Sequence, residues 1–442
     1  MTVFPRSKSE DMDISRFVQP WKLDQQETYV LTNVNLVNPV DGTISQGITI
    51  ALSGGKILFV ESSGSPKEKQ LTVSPSRVIN LDGKYVCPGL IDCHVHIAVT
   101  PGEATLSSYA NMTETKSLIR QPSVLKAMLE RGFTTVRDCG GASLAMKEAV
   151  EEGVHAGPRL FISGKALSQT GGHGDMRGRH DTMPCCGGDV SGISRIVDGV
   201  PECLRVARDE LRQGADFIKI MGGGGAASPT DRIDQLQFSD EEIRAIVTAA
   251  TNAKTYVSSH CYTTEAVRQA IGQGVRAIEH GNMIDLATAK LMVEKGVFLT
   301  PTLVTHFVSK ELHFLSTEGE AKVTEVLERG LATLKMATEV GVKVCFGTDL
   351  LGPTHFAQTK EFAIRSQVQT PLQVLQSATV NAAKLLNKED MLGQVKEGFL
   401  ADLLILAKNP LEDITIFDTS DETIVAVFKA GRVMKSNMSE LK

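Results

Sequence analysis

The chain has 442 residues, 42% hydrophobic and 22% charged, with a formal net charge of −6. That length and composition fit a globular protein with one large core and an accessory unit. The mildly acidic balance argues against a nucleic-acid or membrane-surface partner, and no apolar run approaches the roughly 20 residues of a membrane span.

Residues 1–24 read as a tail. Their opening, MTVFPRSKSEDMDISRF, is polar and mixed in charge and lacks the apolar stretch of a secretory signal. From YVLTNVNLVNP through GITIALSGGKILFV to RVINLDGKYVCPG, short β-rich runs alternate with Asp-Gly and Gly-Gly turns. The same texture returns near the other end, at ADLLILA and TIVAVFKAGRVM. The two ends are expected to pair into a small β-sandwich domain, residues 25–87 with 400–442, leaving 88–399 as one long insertion.

That insertion alternates differently. It holds eight short apolar or β-branched runs: LIDCHVHI (90–97), FTTVRD (133–138), RLFISG (159–164), DFIKIM (216–221), TYVSSH (255–260), AIEH (277–280), VFLTPT (297–302) and VKVCFGTD (342–349). Helical stretches such as SVLKAMLERG, DEEIRAIVTAATNA, TEAVRQAIGQG and ATAKLMVEKG separate them, several ending at a glycine C-cap. Strands alternating with helices predict an α/β fold with a parallel sheet, and eight of them fit a (β/α)8 TIM barrel; an open doubly wound sheet is the alternative. Two long glycine-rich loops follow the third and fourth runs, on the face where such barrels keep their active sites.

The eight cysteines do not resemble a disulfide framework. Cys93, Cys139, Cys261 and Cys345 lie in or beside apolar runs, where cysteine acts as a small hydrophobe. Cys185 and Cys186 are adjacent in a loop, and no pair has zinc-knuckle spacing. A reducing cytoplasm is the expected compartment.

Polar residues gather at the ends of these runs: His94 and His96 in the first, Lys219 in the fourth, His260 and His280 ending the fifth and sixth, and Asp349 ending the eighth. Positions i and i+2 of a strand share a face, so His94 and His96 point the same way. Each residue alone has a plain structural explanation; six at one mouth point to metal binding, because imidazole and carboxylate are ligands of zinc and similar ions. Four histidines and an aspartate exceed what one tetrahedral ion needs, whereas two ions about 3.5–4 Å apart use them all. Such a pair needs a bridging anion, and Lys219 is the candidate. A nearby cation depresses an amine's pKa, and a neutral amine takes up carbon dioxide as a carbamate.

PGLIDCHVH together with Lys219, His260, His280 and Asp349 resembles the amidohydrolase superfamily of binuclear metallohydrolases. Within it, ALSQTGGHGD, DFIKIMGGGG and QFSDEEI look like the imidazolonepropionase-like peptidases, which hydrolyse dipeptides and N-acyl amino acids and include ochratoxin-cleaving enzymes. The resemblance implies two divalent ions, zinc by default, bridged by N6-carboxylated Lys219. It puts His94 and His96 on the buried ion with Asp349, and His260 and His280 on the more exposed one. It also implies a homo-oligomer acting on a small amide or peptide. Asp349 is then the proton carrier for a water held between the ions, and His173, in GGHGD, is a second electrophile. For a substrate carboxylate, the backbone of Gly222–Gly225, Gly223 and Gly224 at its centre, can form an anion nest. Arg177, Arg179 and Arg232 on the long loops can pair with it. Tyr262, two residues past His260, is placed to reach the mouth. The competing readings are an ester, lactone or cyclic-amide hydrolase on the same site, a mononuclear deaminase, and a non-enzymatic scaffold. Lys219 argues against the deaminase, and the full ligand set against the scaffold.

Overall fold

The computed structural model describes residues 15–24, 26–62, 64, 76–182 and 192–441. Most of the tail, and Cys185 and Cys186, lie outside the described residues.

The first five strands are β1 (Tyr29–Val37), β2 (Ile44–Ser53), β3 (Lys56–Ser62), β4 (Arg77–Asn80) and β5 (Tyr85–Pro88). The hairpin between β2 and β3 turns on Gly54 and Gly55, both at positive φ (57° and 80°), which only glycine adopts without strain. Ten strands follow: β6 (Leu90–Val95), β7 (Phe133–Asp138), β8 (Arg159–Ile162), β9 (Ala166–Ser168), β10 (Ser194–Ile196), β11 (Ile218–Met221), β12 (Val257–Thr263), β13 (Ala277–Met283), β14 (Phe298–Thr300) and β15 (Lys343–Val344). The chain ends with β16 (Leu403–Leu406), β17 (Ile424–Lys429) and β18 (Arg432–Ser436).

The two chain ends do pair. β16 runs antiparallel to β5, with Leu403 opposite Pro88 and Leu406 opposite Tyr85. The resulting sheet has the order β18-β17-β16-β5-β1-β2-β3, with β4 beside β1. Leu31, Ile50, Val86, Leu403, Ile405 and Phe428 form its buried core, so residues nearly 400 positions apart are held by one apolar cluster.

Every pairing among β6–β15 is parallel. The strands lie in two sheets, β6-β7-β8 and β10-β9-β11-β12-β13-β14-β15. Backbone bonds cross between the sheets at both sides. The Asp216 N–H donates to Ile162 O, 2.7 Å. On the other side the Cys93 N–H donates to Phe346 O and the Asp349 N–H to His94 O, each 2.8 Å. The third predicted run, 159–164, is strand only as far as Ile162; Gly164 at φ 65° breaks the extension, and β9 follows in the stretch expected to be loop.

The predicted helices form, and their ends follow local chemistry. Ser239 and Glu242 close a capping box at the start of helix 240–252. Asp285 caps helix 286–295, which stops at left-handed Gly296. Their apolar faces pack on the parallel strands through Ile243, Ile246, Val267, Ala270 and Met292. Among the described residues no helix is long and apolar enough to cross a membrane.

Candidate metal centre and active site

The alternation of β6 sends His94 and His96 to the same face, as their spacing requires. Their Nε2 atoms lie 3.3 Å apart, and Asp349 Oδ1 is 3.3 Å from the first and 3.2 Å from the second. The other ring nitrogens are engaged. His94 Nδ1 lies 2.8 Å from Glu279 Oε2, His96 Nδ1 2.9 Å from Gly140 O, and His280 Nδ1 2.6 Å from Thr302 Oγ1. A carboxylate and a carbonyl can only accept, so Nδ1 is the N–H in both His94 and His96. In the neutral rings both Nε2 atoms then carry lone pairs. Two lone pairs and a carboxylate oxygen then face one another, and either ring protons or a metal cation must stand between them. Their spacing fits donors about 2.0–2.1 Å from one tetrahedral ion, whose edges are about 3.3 Å.

Further groups complete the cluster. His94, His280 and Asp349 offer ligand atoms all within 4.8 Å of one another. The His280 ring is 4.5 Å from His260, centre to centre, and 5.2 Å from His94. Lys219, level with Ser258 on the neighbouring strand, is 1% exposed. His280 and Asp349 both hold left-handed backbones, φ 71° and 52°, a strain found where side chains must be aimed.

Charge in the site follows this geometry. Burial holds His260 well below the ordinary imidazole range, and the neighbouring His173 and His280 add to it. Burial does the same for His280, against the pull of Asp349. Both rings are therefore neutral, the form that binds metal. Burial also opposes ionisation of Asp349, but His94 and hydrogen bonds from His94 and His96 outweigh it, and its pKa lies well below the carboxylate range. Burial opposes a proton on His94, yet Cys139 and Asp349 raise its pKa well above normal. The spot between His94 and Asp349 attracts positive charge.

Several supporting residues escaped the sequence reading. Glu279 is fully buried; besides His94 it takes Ser258 Oγ–H and the guanidinium of buried Arg137. Arg137 in turn donates through Nε to Cys93 O, 2.6 Å, and so fixes the ring angle of His94. Asp92 accepts from the backbone of His94 and from the backbone and hydroxyl of Thr348, tying β6 to the segment that carries Asp349. Asp138 accepts three backbone N–H groups, of Ile97, Gly140 and Ala142, and shapes the loop whose carbonyl holds His96.

The amidohydrolase family matches this chain over residues 85–434. The chain belongs to that family. Ochratoxinase of Aspergillus niger is 32% identical to it over 454 aligned positions, covering 97% of this chain and 92% of that protein. A prolidase crystallised with N-methylphosphonate-L-proline is 42% identical, with a TM-score of 0.88 over 93% of this chain and 100% of the other. A Xaa-Pro dipeptidase with methionine in its active site is 30% identical, with a TM-score of 0.81 over 92% and 99%.

Around the metal-ligand candidates of this amidohydrolase, the expected substrate groups divide. Tyr262 is buried, stacks on His280 at 5.0 Å and meets His260 edge-on at 5.0 Å. A cavity of about 300 Å³ opens beside it, lined by Ile233, Thr263, Met283, Lys322 and Glu325. His173 stacks on His260 at 4.2 Å. Its Nδ1 is 2.8 Å from Ser228 Oγ, whose own proton goes to buried Asp231. His173 Nδ1 must therefore be the donor, and in the neutral ring Nε2 is an acceptor. Burial lowers the pKa of His173 and favours that neutral ring. An Nε2 acceptor suits taking up a proton more than polarising a carbonyl, the electrophile role expected of His173. Lys322 anchors the loop that does this, its Nζ donating to the carbonyls of Gly225, Ser228 and Asp231 at 2.8–3.1 Å.

The expected anion nest keeps few free amides. The amide of Gly222 donates to His260 O, that of Gly224 to Gln235 O and that of Gly225 to Asp231. Gly223 lies opposite Leu236 in a bridge whose bonds are made by its neighbours, Gly224 N–H to Gln235 O and Gln237 N–H to Gly222 O, which leaves its own amide outside the ladder. These glycines are needed for close approach, since a Cβ on Gly224 would lie 1.8 Å from Arg232 O and one on Gly225 1.9 Å from His173 Nδ1. Two of the three arginines have partners of their own. Arg177 grips Asp175 at 2.8 and 2.6 Å, and Arg232, at the cavity rim, grips Asp234 with its Nε at 2.9 Å. Arg179 is exposed on the loop.

Gly225→Ala tests the His173 arrangement. The new methyl should displace the ring by about an ångström and lower kcat about 100-fold, with circular dichroism and Tm near wild type. Unchanged kcat would remove His173 from the reaction.

Proposed function

We propose that the chain is a binuclear, metal-dependent amide hydrolase that cleaves dipeptides or N-acyl amino acids, ochratoxin A-type amides among them. One observation carries the reading: three acceptor atoms, His94 Nε2, His96 Nε2 and Asp349 Oδ1, face one another at 3.2–3.3 Å. Lys219 supports the second ion. Its amine is buried with no carboxylate paired to it among the described residues, and its charge bears on His94, His260 and His280. A carbamate, formed when the amine takes carbon dioxide and releases a proton, turns that isolated cation into the anion such a cluster needs.

His94, His96 and Asp349 would hold one ion, His260 and His280 the other, with Lys219 between them. Two divalent ions, zinc by default, supply a Lewis acid for the carbonyl and a water of lowered pKa. Asp349, held ionised, takes the proton from the attacking water and passes it to the departing amine. His173 Nε2 is a second acceptor beside His260. Tyr262, packed on His260 and His280, borders the group beyond the scissile bond. The reading includes closure of the parallel strands into a (β/α)8 barrel, the end strands folded as a sandwich, a homo-oligomer, and a reducing compartment. The six described cysteines are all free and buried, which agrees with the last.

The test is amino-acid release by zinc- and bicarbonate-loaded protein from a panel of dipeptides and N-acyl amino acids that includes ochratoxin A. Release from at least one class is expected, lost on chelation and restored by zinc. No release by protein shown to hold two metals would turn the reading to ester, lactone or cyclic-amide substrates.

A further inference from the structure

A substrate with a free carboxylate needs a donor, and the amides of Gly222, Gly224 and Gly225, like Arg177 and Arg232, are engaged within the protein. A buried ring beside Tyr262 and His280 is not. His306 lies in the helix Leu303–Glu311 that follows β14. It is 3% exposed, and its Nε2 is buried without a hydrogen-bond partner among the described residues. Its ring lies 5.8 Å from Tyr262 and 6.2 Å from His280. The segment before it is held in place by Thr302, which binds His280 Nδ1 from a left-handed backbone of φ 46°.

His306 is not among the residues whose ligand atoms converge. Its Nε2 is free to carry the ring N–H, since no other group among the described residues bonds to it. An N–H with no acceptor in a buried place is unfavourable unless a ligand or water supplies one. The ring touches Tyr262 and His280 but not the His94–His96–Asp349 cluster where the carbonyl must react. It therefore faces the group flanking the scissile bond. In a dipeptide or N-acyl amino acid the flanking acceptor is the α-carboxylate.

We propose that His306 donates its ring N–H to the substrate's α-carboxylate and restricts the enzyme to amides of carboxylate-bearing amino acids. The proposal rests on the amide-hydrolase reading above. The experiment compares wild type, His306→Phe and His306→Gln, all zinc-loaded, by calorimetric binding of two probes whose sulfonamide is not cleaved by amide hydrolysis: an N-methanesulfonyl amino acid and the matching N-methanesulfonyl amine without the carboxylate. The N-methanesulfonyl amino acid is the tightest-binding member of a panel. Wild type should prefer the acid. His306→Phe should weaken the acid about 10- to 100-fold, as for a lost hydrogen bond to a charged group, and leave the amine unchanged. His306→Gln, which keeps a neutral donor, should recover much of the loss. The Tm of His306→Phe should equal or exceed that of wild type, because the unpartnered nitrogen is gone.

An unchanged acid-to-amine ratio, an equal loss for both probes, or no binding of the acid to wild type overturns the proposal. So does a lowered Tm in His306→Phe, which would make the ring structural. Binding is read without turnover, so a wild type that binds the acid but hydrolyses no amide overturns the activity reading alone.

Discussion

Asp349→Asn is expected to lower kcat about 1,000-fold, within the range for removal of a general acid–base group, while KM and the ions bound change little. Asparagine keeps an oxygen where Asp349 Oδ1 meets His94 and His96 at 3.2–3.3 Å, but its amide cannot carry a proton. The backbone favours this substitution over alanine. Position 349 has φ 52°, a left-handed conformation that asparagine tolerates and alanine does not. The loss should fall on kcat because proton transfer occurs in the transition state and not in substrate binding. Elemental analysis of the purified variant beside its steady-state kinetics makes the check. A variant that keeps its metals and wild-type turnover would remove Asp349 as proton carrier. A variant that loses both metals would recast it as a ligand alone.

The site residues were legible where one-dimensional signals carry three-dimensional meaning. The i, i+2 spacing of His94 and His96 fixes a shared face in any strand, and β6 shows it. His260 and His280 ended apolar runs, and the parallel pairing of β12 with β13 brings their rings to 4.5 Å. The supporting layer was not legible. Glu279 stands next to His280 in AIEH, and strict alternation would send the two to opposite faces. The φ of 71° at His280 breaks that alternation, and no residue type announces a left-handed histidine. The glycine run is ambiguous for a related reason. Glycine serves where φ is positive and also where a Cβ would collide, and sequence does not separate the two. None of Gly222–Gly225 has positive φ, and the collision at Gly225 decides the matter. The arginines were readable and passed over: Asp175 and Asp234 stand two residues from Arg177 and Arg232, near enough to satisfy them.

Lys219→Met is expected to remove the second ion and lower kcat/KM about 1,000-fold, since the Lewis-acid contribution of a bound ion is several kcal/mol. Methionine suits the position: Lys219 is 1% exposed between Ile218 and Ile220 in a strand buried throughout, and an unbranched apolar side chain fits there. Folding should survive, and Tm should hold or rise, because a buried ammonium without a paired carboxylate is itself unfavourable. Stability retained with activity lost would separate a ligand role from a packing role. Lys219→Ala sharpens the result. It leaves space for a small carboxylic acid, and acetate or propionate at millimolar concentration should restore part of the turnover and the second ion together if a carbamate is what the site requires. Rescue by the carboxylate but not by a neutral amide of equal size would establish that the missing part is an anion. Lys219→Met with two bound metals and full activity would end the carbamate reading and leave two ions held without Lys219.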